Sequence, residues 1–207
     1  LLADALDRIL AEELPFMKSC VEAKLFGIGL ESYTVGSMDF YEGYCATRKV
    51  MYTLDTGHYE QTENVADKIS SMLLYVPEIM VHLSRGVRWD SDHVTILNDD
   101  LRMIGEEVVR TGALEKIHLG TDFFDGSINR IGAWALGTRA TKKALLWGLL
   151  QNTKQLVQYE EDGNYFARLA LNEQFKTLPF GDVWNYFCEI ENVPDDNALI
   201  GVVLDYE

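Results

Sequence analysis

The chain has 207 residues, a formal net charge of −15 and 47% hydrophobic residues. That charge excludes nucleic acid as a default partner, because phosphate binding wants a basic surface, and it argues against an anionic membrane face. The apolar fraction is enough for a packed core, and no apolar run reaches the roughly 18 residues of a spanning helix.

Leu2, Ala5, Leu6, Ile9 and Leu10 recur at helical spacing, and Pro15 stops the run. This opening carries acids where a secretory leader would have a basic start, an unbroken apolar stretch and a small-residue cleavage site. It also begins without Met, and the chain is expected to be part of a longer protein. Four short apolar stretches then read as buried strands: Ser19–Ala23, Val50–Leu54, Ile79–Leu83 and Ile117–Gly120. None alternates cleanly, as expected of parallel strands covered on both faces. Helices are expected between and after them, at Ser37–Arg48, Glu63–Tyr75, Asn98–Arg110 and Ile128–Leu150. Asn98 or Asp99 is a candidate N-cap. Alternating strands and helices argue an α/β fold with a parallel sheet. After Gln151 the pattern changes to helix alone, over about 153–159, 163–177 and 181–191. The expected organisation is therefore a βα region over 1–150 and a helical extension over 151–207.

Cys20, Cys45 and Cys188 are too few and too scattered for a disulfide framework or a CxxC metal site. Their odd number fits a reducing compartment.

Each expected strand delivers a carboxylate or imidazole near its C-terminal end. Glu22 lies in the first stretch, with Lys24 two residues on; Asp55 and His58 follow the second. His82 lies in the third, with Asp90 and Asp92 in its loop, and Asp122 ends the fourth. In parallel α/β barrels that end is the active face. Mixed oxygen and nitrogen donors suit Mn²⁺, Mg²⁺, Co²⁺ or Zn²⁺, and seven such groups exceed what one open catalytic ion takes, so two ions are the simpler reading. So many carboxylates would repel one another unless cations neutralised them. Bland roles compete residue by residue. An Asp after a strand often caps a helix or forms a turn, a lone His in a strand is more often a satisfied core residue, and Lys24 has a surface reading. The recurrence in four successive strands favours the metal site. His118 reads as structural, and His93, beside Asp92, as a candidate to orient a ligand.

The segments VEAKLFGIGLESYTVGS, LDTGHYEQTENVADKIS, SRGVRWDSDHV and GTDFFDGSINRIGAWALGTR resemble the L-rhamnose isomerase family, in order and over about residues 17–190. The resemblance implies a (β/α)8 TIM barrel related to xylose isomerase, two divalent ions, commonly Mn²⁺, and conversion of L-rhamnose to L-rhamnulose by cytoplasmic homotetramers. It implies that Glu22, Asp55, His82 and Asp122 hold a structural ion. His58, Asp90 and Asp92 hold a catalytic ion, and Asp55 is the candidate bridge. Lys24 matches the lysine that hydrogen-bonds the sugar's O1, with Asp122 and His58 as the other catalytic candidates. A metal-assisted 1,2-hydride shift and a cis-enediol route both stay open. Four expected strands are half a barrel and read as its last four. Isomerisation of another rare aldose, and inactivity of the chain in isolation, are the alternative functions.

Overall fold

A computed structural model describes residues 1–12, 14–24, 30, 36–86 and 92–207. Its centre is a four-stranded parallel sheet in the order β1 (Cys20–Glu22), β2 (Met51–Asp55), β3 (Ile79–Leu83) and β4 (Ile117–Thr121). Every residue of β2 is buried, and Tyr52, Leu54, Ile79, Val81 and Leu83 are almost wholly out of solvent. Burying each such side chain is worth about 1.5–3 kcal/mol, which is why a strand covered on both faces carries an unbroken apolar run.

Helices connect and cover these strands. α1 (Leu2–Ile9) precedes the sheet, α2 (Met38–Arg48) links β1 to β2, α3 (Ala66–Met72) links β2 to β3, and α4 (Asp99–Arg110) links β3 to β4. α5 (Arg130–Leu150) follows β4, and α6 (Thr153–Glu161), α7 (Tyr165–Phe175), α8 (Phe180–Ile190) and α9 (Asp196–Tyr206) complete the described chain. Short polar side chains set their starts. Ser37 Oγ accepts from Phe40 N, Asn98 Oδ1 from Leu101 N, Asn129 Oδ1 from Gly132 N and Asp195 Oδ1 from Ala198 N. Each satisfies a backbone donor that the first helical turn leaves free.

The sheet β3 matches its expected span, and the other strands shift by a residue or two at their ends. Three helices differ more. α1 stops at Ile9, well before Pro15, because the apolar spacing lapses at Ala11 and Glu12. α3 is shorter than the expected 63–75: Asn64 Oδ1 accepts from Ala66 N, so the chain turns through 63–65 before the helix begins. α9 was not among the expected helices, although Pro194 and the Asp195 cap mark its start.

The tightest helix contact is between α4 and α5. A Cβ at Gly105 would lie 2.3 Å from the Ala144 carbonyl oxygen, and one at Gly148 would lie 2.7 Å from the Gly105 carbonyl oxygen. Trp147 Nε1 donates to Glu106 Oε1 at 2.7 Å beside this contact. On the far side of α5, Asp196 at the start of α9 takes an ion pair from Arg139 at 3.2 Å, another from Lys143, and a hydrogen bond from Trp184 Nε1 at 3.2 Å.

Candidate metal centre

The C-terminal ends of the strands converge because the sheet is in register. Asp55 is opposite His82, and His82 is opposite Gly120, so Asp122 emerges one step past the end of β4. The ladders continue beyond the strands: Thr56 N donates to the His82 carbonyl at 3.0 Å, and Asp122 N to the Leu83 carbonyl at 3.2 Å. Glu22 closes the group as the last residue of β1.

Three carboxylates thereby surround one imidazole nitrogen. His82 Nδ1 lies 2.8 Å from Glu22 Oε1, 3.3 Å from Asp122 Oδ2 and 3.4 Å from Asp55 Oδ2. Ligand atoms about 2.0–2.2 Å from a common ion stand about 3.0–3.5 Å from one another, so these separations match the edges of a coordination shell. Asp55 and Glu22, in that order, hold the imidazole up at about 10 against burial, which lowers it. It is the one base among three carboxylates, and its proton does the work a divalent cation would do.

A second set shares Asp55. Ligand atoms of Asp55, His58 and Asp92 lie within 4.8 Å of one another, as do those of Glu22, Asp55, His82 and Asp122. His58 is buried, with Nδ1 3.0 Å from the Ala23 carbonyl oxygen. A carbonyl only accepts, so Nδ1 carries a hydrogen, and Nε2 lies 4.0 Å from Asp92 Oδ2. Burial, above all, raises the pKa of Asp92, and the negative charge of Asp55 adds to it.

The donor chemistry also fits cations on a count of unmet demand. Asp55 Oδ2 and Asp92 Oδ1 are buried with no hydrogen-bond partner among the described residues. Unpaired carboxylate oxygens out of water are costly unless a cation meets them. Of the two Asp55 oxygens, Oδ2 is the one that faces both imidazoles, 3.4 Å from His82 Nδ1 and 3.9 Å from His58 Nδ1. The residues present therefore suit one or two divalent ions.

The family described as L-rhamnose isomerase (RhaA) matches the chain over residues 1–207. The chain belongs to the L-rhamnose isomerase family. An L-rhamnose isomerase of Bacteroides thetaiotaomicron is 56% identical over 207 residues, covering 100% of this chain and 50% of that protein. One from Rhodopirellula baltica is 51% identical over 208 residues, with 100% and 49% covered. One from Cronobacter sakazakii is 52% identical over 205 residues, with 98% and 49% covered. The chain thus spans about half the length of the curated relatives it matches.

The other residues singled out on sequence for this L-rhamnose isomerase family chain fall as follows. Lys24 lies half-buried two residues beyond the end of β1. Asp90 lies outside the described residues. His93 is bridged to Arg85 through both backbone groups, at 2.9 and 3.2 Å, with its ring 3.7 Å from Asp125. His118, near the start of β4, faces the opposite end of the sheet and pairs with Glu78, which also takes Lys18 at 2.6 Å. Its carboxylate partner sits forty residues away, immediately before the neighbouring strand β3, which is why spacing did not show it. Sequence reasoning also passed over Thr56 and Ser84, hydroxyl residues that directly follow β2 and β3 beside the ligands. Their position immediately after two ligand-bearing strands was the available signal.

No helix among the described residues is long and apolar enough to cross a membrane.

Proposed function

We propose that a protein carrying this chain is a metal-dependent aldose–ketose isomerase that interconverts L-rhamnose and L-rhamnulose. The observation that carries the proposal is Asp55, whose unpartnered Oδ2 is shared by two convergent ligand sets in a chain of the L-rhamnose isomerase family. The parallel sheet, with β1 and β4 each paired on one side among the described residues, is consistent with part of a TIM barrel. On this reading it forms the last four βα units, over 1–150, and 151–207 is a helical extension. The protein is taken to be a cytoplasmic homotetramer, in keeping with the family resemblance and the three free cysteines.

Glu22, Asp55, His82 and Asp122 would hold one ion, and Asp55, His58 and Asp92, with Asp90, the other. Mn²⁺ is the proposed metal, since hard oxygen donors and two imidazoles suit it; Zn²⁺, Co²⁺ and Mg²⁺ compete. When bound, such ions polarise the sugar carbonyl as Lewis acids and lower the cost of charge on its oxygens.

The chain's own residues do the rest. His58, buried and fixed through Nδ1 by the Ala23 carbonyl, would offer Nε2 to the second ion. Lys24, beside Glu22 in sequence, is assigned to steady charge on O1 as it develops. Asp122 is more than half exposed at the mouth of the site, where it can hold the proton that passes between O1 and O2. On this reading the hydrogen moves between C1 and C2 by a direct 1,2-hydride shift, whereas a cis-enediol route would need a carboxylate base close to C2.

The test is to assay the full-length protein for L-rhamnulose formation after chelation and after re-addition of Mn²⁺, Co²⁺, Zn²⁺ or Mg²⁺ separately. Loss on chelation and recovery with Mn²⁺ is expected, with little deuterium incorporated from D₂O. Turnover that survives chelation would refute the metal assignment, and a faster reaction with another aldose would move the substrate.

A further inference from the structure

Ser84 stands where the two ligand sets meet. It directly follows β3 and is buried. Its backbone is tied by a single side chain: Thr56 Oγ1 accepts from Ser84 N at 2.8 Å and donates to the Ser84 carbonyl at 2.7 Å. The end of β3 is thus fastened to the residue that follows Asp55. This fastening sets Ser84 Oγ 3.4 Å from Asp55 Oδ1. Gly57 N holds the same oxygen at 2.7 Å.

The consequence is an asymmetric carboxylate. Asp55 Oδ1 is engaged by two donors, whereas Oδ2 is buried without a hydrogen-bond partner and is the Asp55 oxygen that faces both histidines. An Asp χ2 is a broad torsion that does not lock by itself. Without its donors the carboxylate could turn and offer both oxygens to one side.

We propose that Ser84 is a positioning residue that fixes Asp55 with a single oxygen between the two ligand sets, and that its hydroxyl is needed chiefly by the set of Asp55, His58 and Asp92. This rests on the metal-dependent reading above. The second set depends more on Ser84 because, apart from Asp55, it has among the described residues only His58 and Asp92, whose Nε2 and Oδ2 stand 4.0 Å apart. The first set keeps Glu22, His82 and Asp122, whose mutual contacts of 2.8 and 3.3 Å do not pass through Ser84.

The experiment titrates the metal-free full-length protein with Mn²⁺ alone, as wild type, Ser84→Ala and Ser84→Thr, by calorimetry and by electron paramagnetic resonance. Thermal midpoints of the three metal-free proteins are measured alongside. Loss of an outer hydrogen-bond partner of a metal ligand typically costs about 10–100-fold in affinity. Ser84→Ala is therefore expected to weaken one of two Mn²⁺ sites by about tenfold or more and to leave the other within about twofold. Ser84→Thr, which restores the hydroxyl, is expected to recover most of that loss. A Ser84→Ala protein that binds both ions like wild type, whatever its metal-free midpoint, would overturn the proposal, and so would equal weakening in the Ala and Thr variants. If wild type binds two Mn²⁺ yet isomerises no rhamnose, the proposed substrate fails, and the affinity ratios still decide the role of Ser84.

Discussion

His82 Nδ1 lies 2.8 Å from Glu22 Oε1, although sixty residues separate them and a whole strand stands between β1 and β3. The strand between is β2, and it ends at Asp55, whose carboxylate fills the gap beneath the pair. Three acids around one imidazole store repulsion that either a proton or a cation must relieve, and the expected outcomes below follow from that competition.

The first concerns pH. Asp55 and Glu22 hold His82 at about 10 in the fold, against ~6.5 in the unfolded chain. The folded value is the higher one, so protonated His82 contributes stability in full below about pH 6.5, and the contribution is lost as pH rises toward 10. Asp92, also raised, acts in the same direction. The metal-free protein is expected to show a thermal midpoint that falls between about pH 6.5 and 9, and saturating Mn²⁺ is expected to abolish that fall by displacing the proton. Scanning calorimetry across that range checks it; a flat metal-free profile would contradict the assignment.

The second separates the two ligand sets. His58→Ala should cut turnover of the full-length enzyme by at least ~100-fold, while unfolding free energy drops by only about 1–3 kcal/mol, the cost of leaving the buried Ala23 carbonyl unpaired. Glu22→Gln removes charge from the His82 cluster and should loosen the structure as well as slow the reaction. Steady-state rates and urea midpoints on both variants test this. Near-normal turnover in His58→Ala would end the proposed role of that residue.

Helix packing supplies a third. Gly105→Ala would drive a methyl into the Ala144 carbonyl, and Gly148→Ala would drive one into the backbone at Gly105. Overpacking of this kind costs about 1–3 kcal/mol, more where backbone must move. Both variants should lower the thermal midpoint without changing the relative affinities for two Mn²⁺ ions, because α4 and α5 hold the sheet and not the ligands. A midpoint equal to wild type would show that the helices separate freely.

The fourth concerns the 207 residues expressed by themselves. β1 and β4 each have one hydrogen-bonded neighbour among the described residues. Outer strands with free backbone groups invite pairing with other chains. The isolated chain is expected to self-associate and to form no L-rhamnulose with Mn²⁺, since a site open on one side lets water weaken its electrostatics. Light scattering with an activity assay reads both; an active, monodisperse monomer would contradict it.

Much of this architecture was legible before any coordinates. Ile79–Leu83 reads as a strand because a short run rich in apolar residues, broken only by His82, suits a buried parallel strand, and Asn98 reads as a helix start because its side chain can take a free backbone donor. The recurrence of acids and imidazoles at strand ends likewise pointed to Glu22, Asp55, His58, His82 and Asp122, since parallel strands deliver their C-terminal residues to one face. α9 was passed over because its apolar residues follow no clear stripe, and it buries none of them completely.

Local pattern alone determined which residues become strands, where helices begin and which side chains arrive at the active face, because those depend on backbone preference and burial within a few positions. Tertiary structure decided which atoms meet. Pairing of β2 with β3 put Asp55 opposite His82, and the Thr56 clamp set Ser84 against Asp55 across a gap of twenty-nine residues. The same register carried His118 to Glu78 at the other end of the sheet. Such contacts depend on strand register, and register is settled by the summed packing of the whole sheet, which no single stretch of sequence contains.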